Sequence, residues 1–213
     1  MTRPILWTFR RCPYAMRARL AIASADIVVE LREILLRDKP TAFLQASPKG
    51  TVPVVETPSG VIEESLEVML WALNQNDPEG WLEMPGYGFD LIAEADGAFK
   101  DALDRYKYAA RHADVEVDVE RHKAGLFLHK LNRMLEGRTY LFTNTPQLAD
   151  MAILPFVRQF AHVDSGWFED QPWPNVISWL HAFETSDGFA SIMTKYPPWA
   201  EGQDPTPFPL KAA

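Results

Sequence analysis

A strand-like run, Ile5-Leu6-Trp7-Thr8-Phe9, hands over to a helix-like run, Ala15 to Ala25, across one Cys-Pro step at Cys12 and Pro13. That junction restricts the fold more than any other feature of the chain. Pro13 falls at the first helical position, where a missing N–H costs nothing and a fixed φ suits the helix. Backbone N–H groups at a helix start favour an anion, and a thiolate is one. Arg10, Arg11 and Arg17 bring positive charge close in sequence. Such settings lower a cysteine pKa from ~8.5 to roughly 3.5–7.5. A lone cysteine is often only a small buried apolar residue. Here strand, Cys-Pro, helix and flanking arginines occur together, which favours a reactive thiol.

The same alternation continues. Val28–Leu35 reads as a second strand, and Thr41–Gln45 as a short helix after Pro40. Val52–Glu56 and Gly60–Glu63 read as a hairpin joined by Thr57-Pro58-Ser59-Gly60. Ser65–Asn74 is helical, with Leu66, Met69, Leu70 and Leu73 on its apolar face. The order β-α-β-α-β-β-α predicts an α/β thioredoxin-like domain over residues 1–76, a small sheet between helices. Breakers crowd residues 77–88, read as a linker. Residues 89–213 predict an all-α domain. Its segments are Phe89–His112, Val119–Leu135, Leu148–His162, Asn175–Thr185 and Phe189–Lys195. The Pro197–Pro209 tail is expected to lie over the surface.

Composition narrows the function classes. A net charge of −8 argues against nucleic acid as partner. No run is apolar enough to span a bilayer, and Met1-Thr2-Arg3-Pro4 lacks the apolar stretch of a secretory signal. One cysteine makes no internal disulfide, which fits a reducing cytoplasm. No metal site is expected. The seven Trp and twelve Phe suit both a core and a pocket for flat apolar molecules.

Three further features converge on Cys12 in such a domain. Pro53, in Thr51-Val52-Pro53-Val54, either is cis, leaving the Val52 backbone to pair with an extended peptide, or is trans and merely starts a strand. Ser65, after Glu63-Glu64, either caps its helix or holds a carboxylate, with Glu64 beside it for an ammonium group. Lys39, in Arg37-Asp38-Lys39-Pro40, either faces a carboxylate or is a solvated loop residue.

Cys12-Pro13-Tyr14-Ala15-Met16-Arg17, Lys39-Pro40, Ser47-Pro48-Lys49-Gly50-Thr51-Val52-Pro53-Val54-Val55 and Glu64-Ser65, in this order, resemble the cytosolic glutathione transferase superfamily. The Cys-Pro-Tyr-x-x-Arg start and Lys39 are most similar to omega-class and dehydroascorbate-reductase-like members. Leu148-Ala149-Asp150-Met151-Ala152-Ile153-Leu154-Pro155 resembles the family's buried helix with its capping aspartate. Gln147 departs from the Ser or Thr usual three residues before that Asp.

The resemblance implies glutathione as co-substrate. Its γ-glutamyl end would sit on Glu64 and Ser65, its backbone on Val52 before cis-Pro53, and its glycyl carboxylate near Lys39. Pro13 and Tyr14 would flank its sulfur at Cys12. It further implies thiol transfer or reduction through a Cys12–glutathione mixed disulfide, and a homodimer. A disulfide or small apolar acceptor would lie between the domains, with Tyr106, Tyr108, Trp167 and Phe168 as candidate lining. Two other readings of the fold stay open: conjugation of glutathione to electrophiles, and a non-enzymatic regulator of the stringent-starvation type.

Overall fold

The computed structural model describes residues 3–111 and 115–210. Met1 and Thr2 of the leader reading, His112 of the long helical segment and 211–213 of the expected helical domain lie outside the described residues. The chain packs as two compact units, Met1–Glu79 with Ser186–Ala213, and Gly80–Thr185.

The first unit is a mixed sheet with helices, the thioredoxin-like arrangement. Strand β1 (Ile5–Thr8) pairs in parallel with β2 (Val29–Glu33), with Leu6 opposite Leu31. Between them runs α1 (Pro13–Ser24), with Pro13 in its first turn. After α2 (Thr41–Ala46), β3 (Val54–Thr57) lies antiparallel to β1, and β4 (Gly60–Ile62) closes a hairpin on β3. Helix α3 (Ser65–Leu73) follows and packs on α1. Central β1 buries Leu6, Trp7 and Thr8 in succession, the near-continuous burial of a strand covered on both faces.

The second unit is helical: α4 (Gly88–Glu94), α5 (Lys100–Lys107), α6 (Val117–Met134), α7 (Leu148–Ala161), α8 (Ser165–Glu169) and α9 (Pro174–Glu184). The expected long helix from Phe89 is broken by a wide turn at Ala95–Phe99, where Gly97 leaves helical geometry. The expected linker is structured too: Trp81–Glu83 forms a short helix, and Trp81 and Met84 are buried. Helix α7 begins at Leu148 with Gln147 as its N-cap residue. The buried Asp150 carboxylate accepts from the backbone N–H of Gln147 at 3.0 Å and of Leu141 at 2.9 Å.

The tail departs from its expected course. Helix α10 (Asp187–Ile192) packs on α1, and β5 (Pro207–Phe208) adds a fifth strand antiparallel to β2. The sheet order is β4-β3-β1-β2-β5. Phe208 is buried, and Trp199 stands edge-on to Trp7 at 5.1 Å. The Arg32 guanidinium lies 4.8 Å from the Trp7 ring and 4.6 Å from the Trp199 ring. Apolar burial and this stacking draw the segment into the first unit.

Burial pushes the Asp150 carboxyl up to about 6, against the pull of its two backbone donors. An acid raised in this way holds its proton more tightly folded than unfolded. The stability it brings is full below its unfolded pKa, about 4, and is lost as pH rises through about 6. Asp150→Ala should cost ~2 kcal/mol near neutrality through the lost backbone partners. That margin should widen by on the order of 2 kcal/mol at pH 4.5. Denaturant unfolding of parent and variant at both pH values checks this, and an equal or inverted margin counts against it.

Candidate functional site

Cys12 occupies the N-cap position of α1, with extended backbone at φ −76° and ψ 124°. Its N–H donates to the Phe9 carbonyl at 3.0 Å, and its carbonyl accepts from Met16 at 2.9 Å. The first bond closes the turn after β1 and the second opens the helix, so the thiol is held over the positive end of α1. Part-buried Cys12 packs on the cluster of Trp7, Ala15, Ile34, Phe43, Val52 and Val54. Its Sγ lies 3.8 Å from the Val52 carbonyl oxygen. The Val52–Pro53 peptide is cis.

The arginines divide their work differently from the sequence expectation. Arg17 is fully buried and donates from Nη1 to the Ser65 hydroxyl at 3.3 Å, with its guanidinium 5.8 Å from the Tyr14 ring. Arg11 is exposed beside the Phe9 ring, and the Arg10 backbone N–H donates to Glu33 at 2.8 Å. The cation that grips the loop is Arg19, which sequence reasoning missed. It donates to the Thr8 hydroxyl, to the Arg10 carbonyl at 2.7 Å, to the Phe9 carbonyl at 3.4 Å and to the Ile192 carbonyl at 3.0 Å. Burial pulls Arg19 down to about 10, opposed by the charges of Glu33 and Cys12, so it stays protonated at neutral pH. Burial pushes Glu33 up, opposed by the Arg10 N–H and the Arg19 charge. The available signal for Arg19 was a basic residue set among Ala18, Leu20, Ala21 and Ile22.

Ser65 does not cap its helix. It is the first residue of α3, Glu64 holds the N-cap position, and the Ser65 hydroxyl faces Arg17. Glu64 is ion-paired with Lys49 at 2.7 Å, and Glu63 accepts from the Ser47 hydroxyl. Both partners lie in the turn Ser47–Gly50, closed by Gly50 N–H to Ser47 carbonyl at 2.9 Å. Gly50 has φ +61°, and a Cβ there would come within 3.2 Å of the Lys39 ammonium nitrogen. Lys39 therefore lies over the turn that leads to Val52. Cys12, Val52, Pro53, Lys39, Glu64 and Ser65 all belong to the first unit.

The four aromatic residues belong to the second unit. Tyr106 is buried against Phe160 at 5.3 Å and accepts from Arg121 at 2.9 Å. Phe168 is buried against Phe160 and Trp173. Trp167 is half-buried beneath Arg121 and lines a cavity of about 290 Å³ with His122, His129 and Trp173. Tyr108 stands apart, stacked with Arg111 at 4.3 Å. Among the described residues no cluster of three or more His, Cys, Asp or Glu side chains is placed to hold a metal ion. No described helix is long and apolar enough to cross a membrane.

Residues 6–80 match the family model of the glutathione S-transferase N-terminal domain, and residues 127–201 that of the C-terminal domain. Glutathione S-transferase DHAR2 of Arabidopsis thaliana is 31% identical over 99 residues, covering 44% of this chain and 46% of the relative. The chain thus spans about half the length of that curated relative. A glutathione transferase family member from Pseudomonas fluorescens pf-5, solved with two glutathione bound, superposes with a TM-score of 0.77 at 14% identity, covering 90% of this chain and 92% of that one. Glutathione transferase Omega 3C from Trametes versicolor gives a TM-score of 0.77 at 18% identity, covering 94% of this chain and 93% of that one. Identities this low show the fold.

Arg19→Met keeps the side-chain length and removes every donor from the loop. It should destabilise the chain by roughly 3 kcal/mol or more, because buried acceptors lose a charged partner. Hydrogen exchange at the Cys12 amide should quicken as the Phe9–Cys12 turn loosens. A loss under about 1 kcal/mol with unchanged exchange would show that the loop holds itself.

Proposed function

The chain belongs to the glutathione transferase superfamily, and from that premise we propose that it catalyses glutathione-dependent thiol transfer through Cys12. The observation that carries this reading is the placement of the sole thiol at the start of α1, 3.8 Å from the Val52 carbonyl beside Pro53. The similarity to a DHAR-type relative and to a glutathione-bound neighbour supports glutathione as the co-substrate.

The γ-glutamyl carboxylate meets Ser65 and the first N–H groups of α3, with the buried Arg17 charge behind the hydroxyl. The γ-glutamyl ammonium meets Glu64, the cysteinyl backbone pairs with Val52, and the glycyl carboxylate meets Lys39. Pro13 and Tyr14 border the sulfur. A ligand held at these points brings its sulfur to Cys12. The Cys12 thiolate then attacks the glutathionyl sulfur of a mixed disulfide. A Cys12–glutathione disulfide forms, and the acceptor leaves as a thiolate that takes a proton from solvent. The chain has no second cysteine. A second glutathione thiolate therefore attacks the glutathionyl sulfur, releasing oxidised glutathione and restoring Cys12. Net, one glutathionylated acceptor and one glutathione thiol become the acceptor thiol and oxidised glutathione. A dehydroascorbate-like acceptor, which brings no glutathionyl group, takes its two electrons and two protons from two glutathione thiols, which leave as oxidised glutathione.

Incubation with oxidised glutathione should add one glutathionyl group to Cys12, read by intact mass. Cys12→Ala and Cys12→Ser should both lose thiol transfer to background. The serine variant still offers a hydroxyl to a glutathione thiolate and is expected to gain weak conjugation of an electrophilic aromatic. Thiol transfer near the parent rate in Cys12→Ser would falsify the mechanism. Ser65→Ala should weaken glutathione binding roughly ten-fold, the scale of a hydrogen bond to a charged group, and should cost about 1–3 kcal/mol of stability because buried Arg17 loses an acceptor. Unchanged affinity by calorimetry would remove Ser65 from the ligand site.

A further inference from the structure

The two acids ahead of α3 are each fastened to one short turn. Ser47 is buried and its hydroxyl donates to Glu63, while the Lys49 ammonium donates to Glu64 at 2.7 Å. Gly50, in a left-handed conformation, makes the turn tight enough to set both donors beside the two carboxylates. Lys49 and Glu64 are both solvent-exposed, with side-chain exposures of 56% and 63%. Neither partner is needed to support the core.

This pairing bears directly on ligand capture. If Glu64 receives the γ-glutamyl ammonium, then a lysine ammonium already stands at that carboxylate. Glu63 and Glu67 also act on Lys49, but its hydrogen bond is to Glu64. A second ammonium at the Glu64 carboxylate stands close to the first and is repelled by it. Glutathione must therefore push Lys49 into solvent or bind against its charge.

We propose that Lys49 is an internal competitor for the ammonium subsite, a charge mimic that glutathione displaces and that sets how tightly this chain holds it. The inference rests on the assignment of Glu64 to the γ-glutamyl ammonium made above. Lys49 is a specificity-determining residue that lowers the advantage of a free amino group, since only ligands bearing that group need to displace it. A ligand lacking the amine leaves the Lys49–Glu64 pair in place. The pair is exposed, so its effect is modest and falls with salt.

Calorimetry with S-methylglutathione tests this, because that probe cannot exchange disulfides with Cys12. Lys49→Gln should bind the probe about two- to five-fold more tightly than the parent, the range of an exposed ion pair. Lys49→Arg keeps the charge and should bind as the parent does. The des-amino analogue, with glutaryl in place of γ-glutamyl, should bind parent and Lys49→Gln equally. At about 1 M sodium chloride, where the Debye length is ~3 Å, the advantage of Lys49→Gln should close. Weaker or equal binding of S-methylglutathione by Lys49→Gln overturns the proposal, the first case showing that Lys49 holds the ligand itself. Equal tightening of both probes also overturns it. A parent that binds neither probe refutes the glutathione site as a whole and this inference with it, an outcome distinct from a parent that binds and a variant that gains nothing.

Discussion

A guanidinium removed from water holds this site together. Taking such a charge out of water is expensive, and the expense is met only when good acceptors surround it. Arg19 has them: a hydroxyl on β1, two carbonyls of the following turn, and the last carbonyl of α10. The nearby Glu33 carboxylate adds a counter-charge and takes the Arg10 N–H. The turn that presents the thiol is thus anchored from beneath, by a residue that reaches no solvent and touches no ligand in the proposed scheme. Precise placement of a reacting atom needs this kind of support, since loops alone fix positions poorly.

The second buried arginine does a related job two residues earlier on the same helix. Arg17 ties α1 to the first residue of α3, so the two helix starts that border the site are coupled through one side chain. The thiol and the proposed carboxylate subsite at Ser65 are therefore not independent features. A shift of α3 relative to α1 would disturb both at once. The turn Ser47–Gly50 completes the frame from the other side through Glu63 and Glu64.

The first unit was readable from sequence because its strand and helix periods differ and its breakers fall between them. The Cys-Pro junction located the thiol at a helix start because Pro13 tolerates only a few positions. The sequence leaves Ser65 open between a cap and a carboxylate ligand, because Glu64 is equally able to take the N-cap position; in the structure Glu64 takes it and the Ser65 hydroxyl meets Arg17. Arg19 and Lys49 were named without a role or not named at all. Their partners lie far away along the chain, and a lone sequence carries no signal for which acceptor a long side chain will find. Strand β5 was invisible for another reason. A strand of two residues, one of them proline and followed by another, has no periodicity, and pairing with β2 depends wholly on tertiary context.

That last strand has a bearing on how the chain comes into being. The residues that complete the first unit, from α10 through β5, come after the whole helical unit in the chain. Ile192, whose carbonyl takes a bond from Arg19, is separated from it by 173 positions. A ribosome working from the amino end delivers the thiol before its last supports. Until α10 and β5 emerge, Arg19 lacks one acceptor, β2 keeps an unpaired edge, and Trp7 lacks its neighbour Trp199. The nascent sheet is in that interval a docking template waiting for its own chain, and its protection falls to whatever meets it at the exit tunnel.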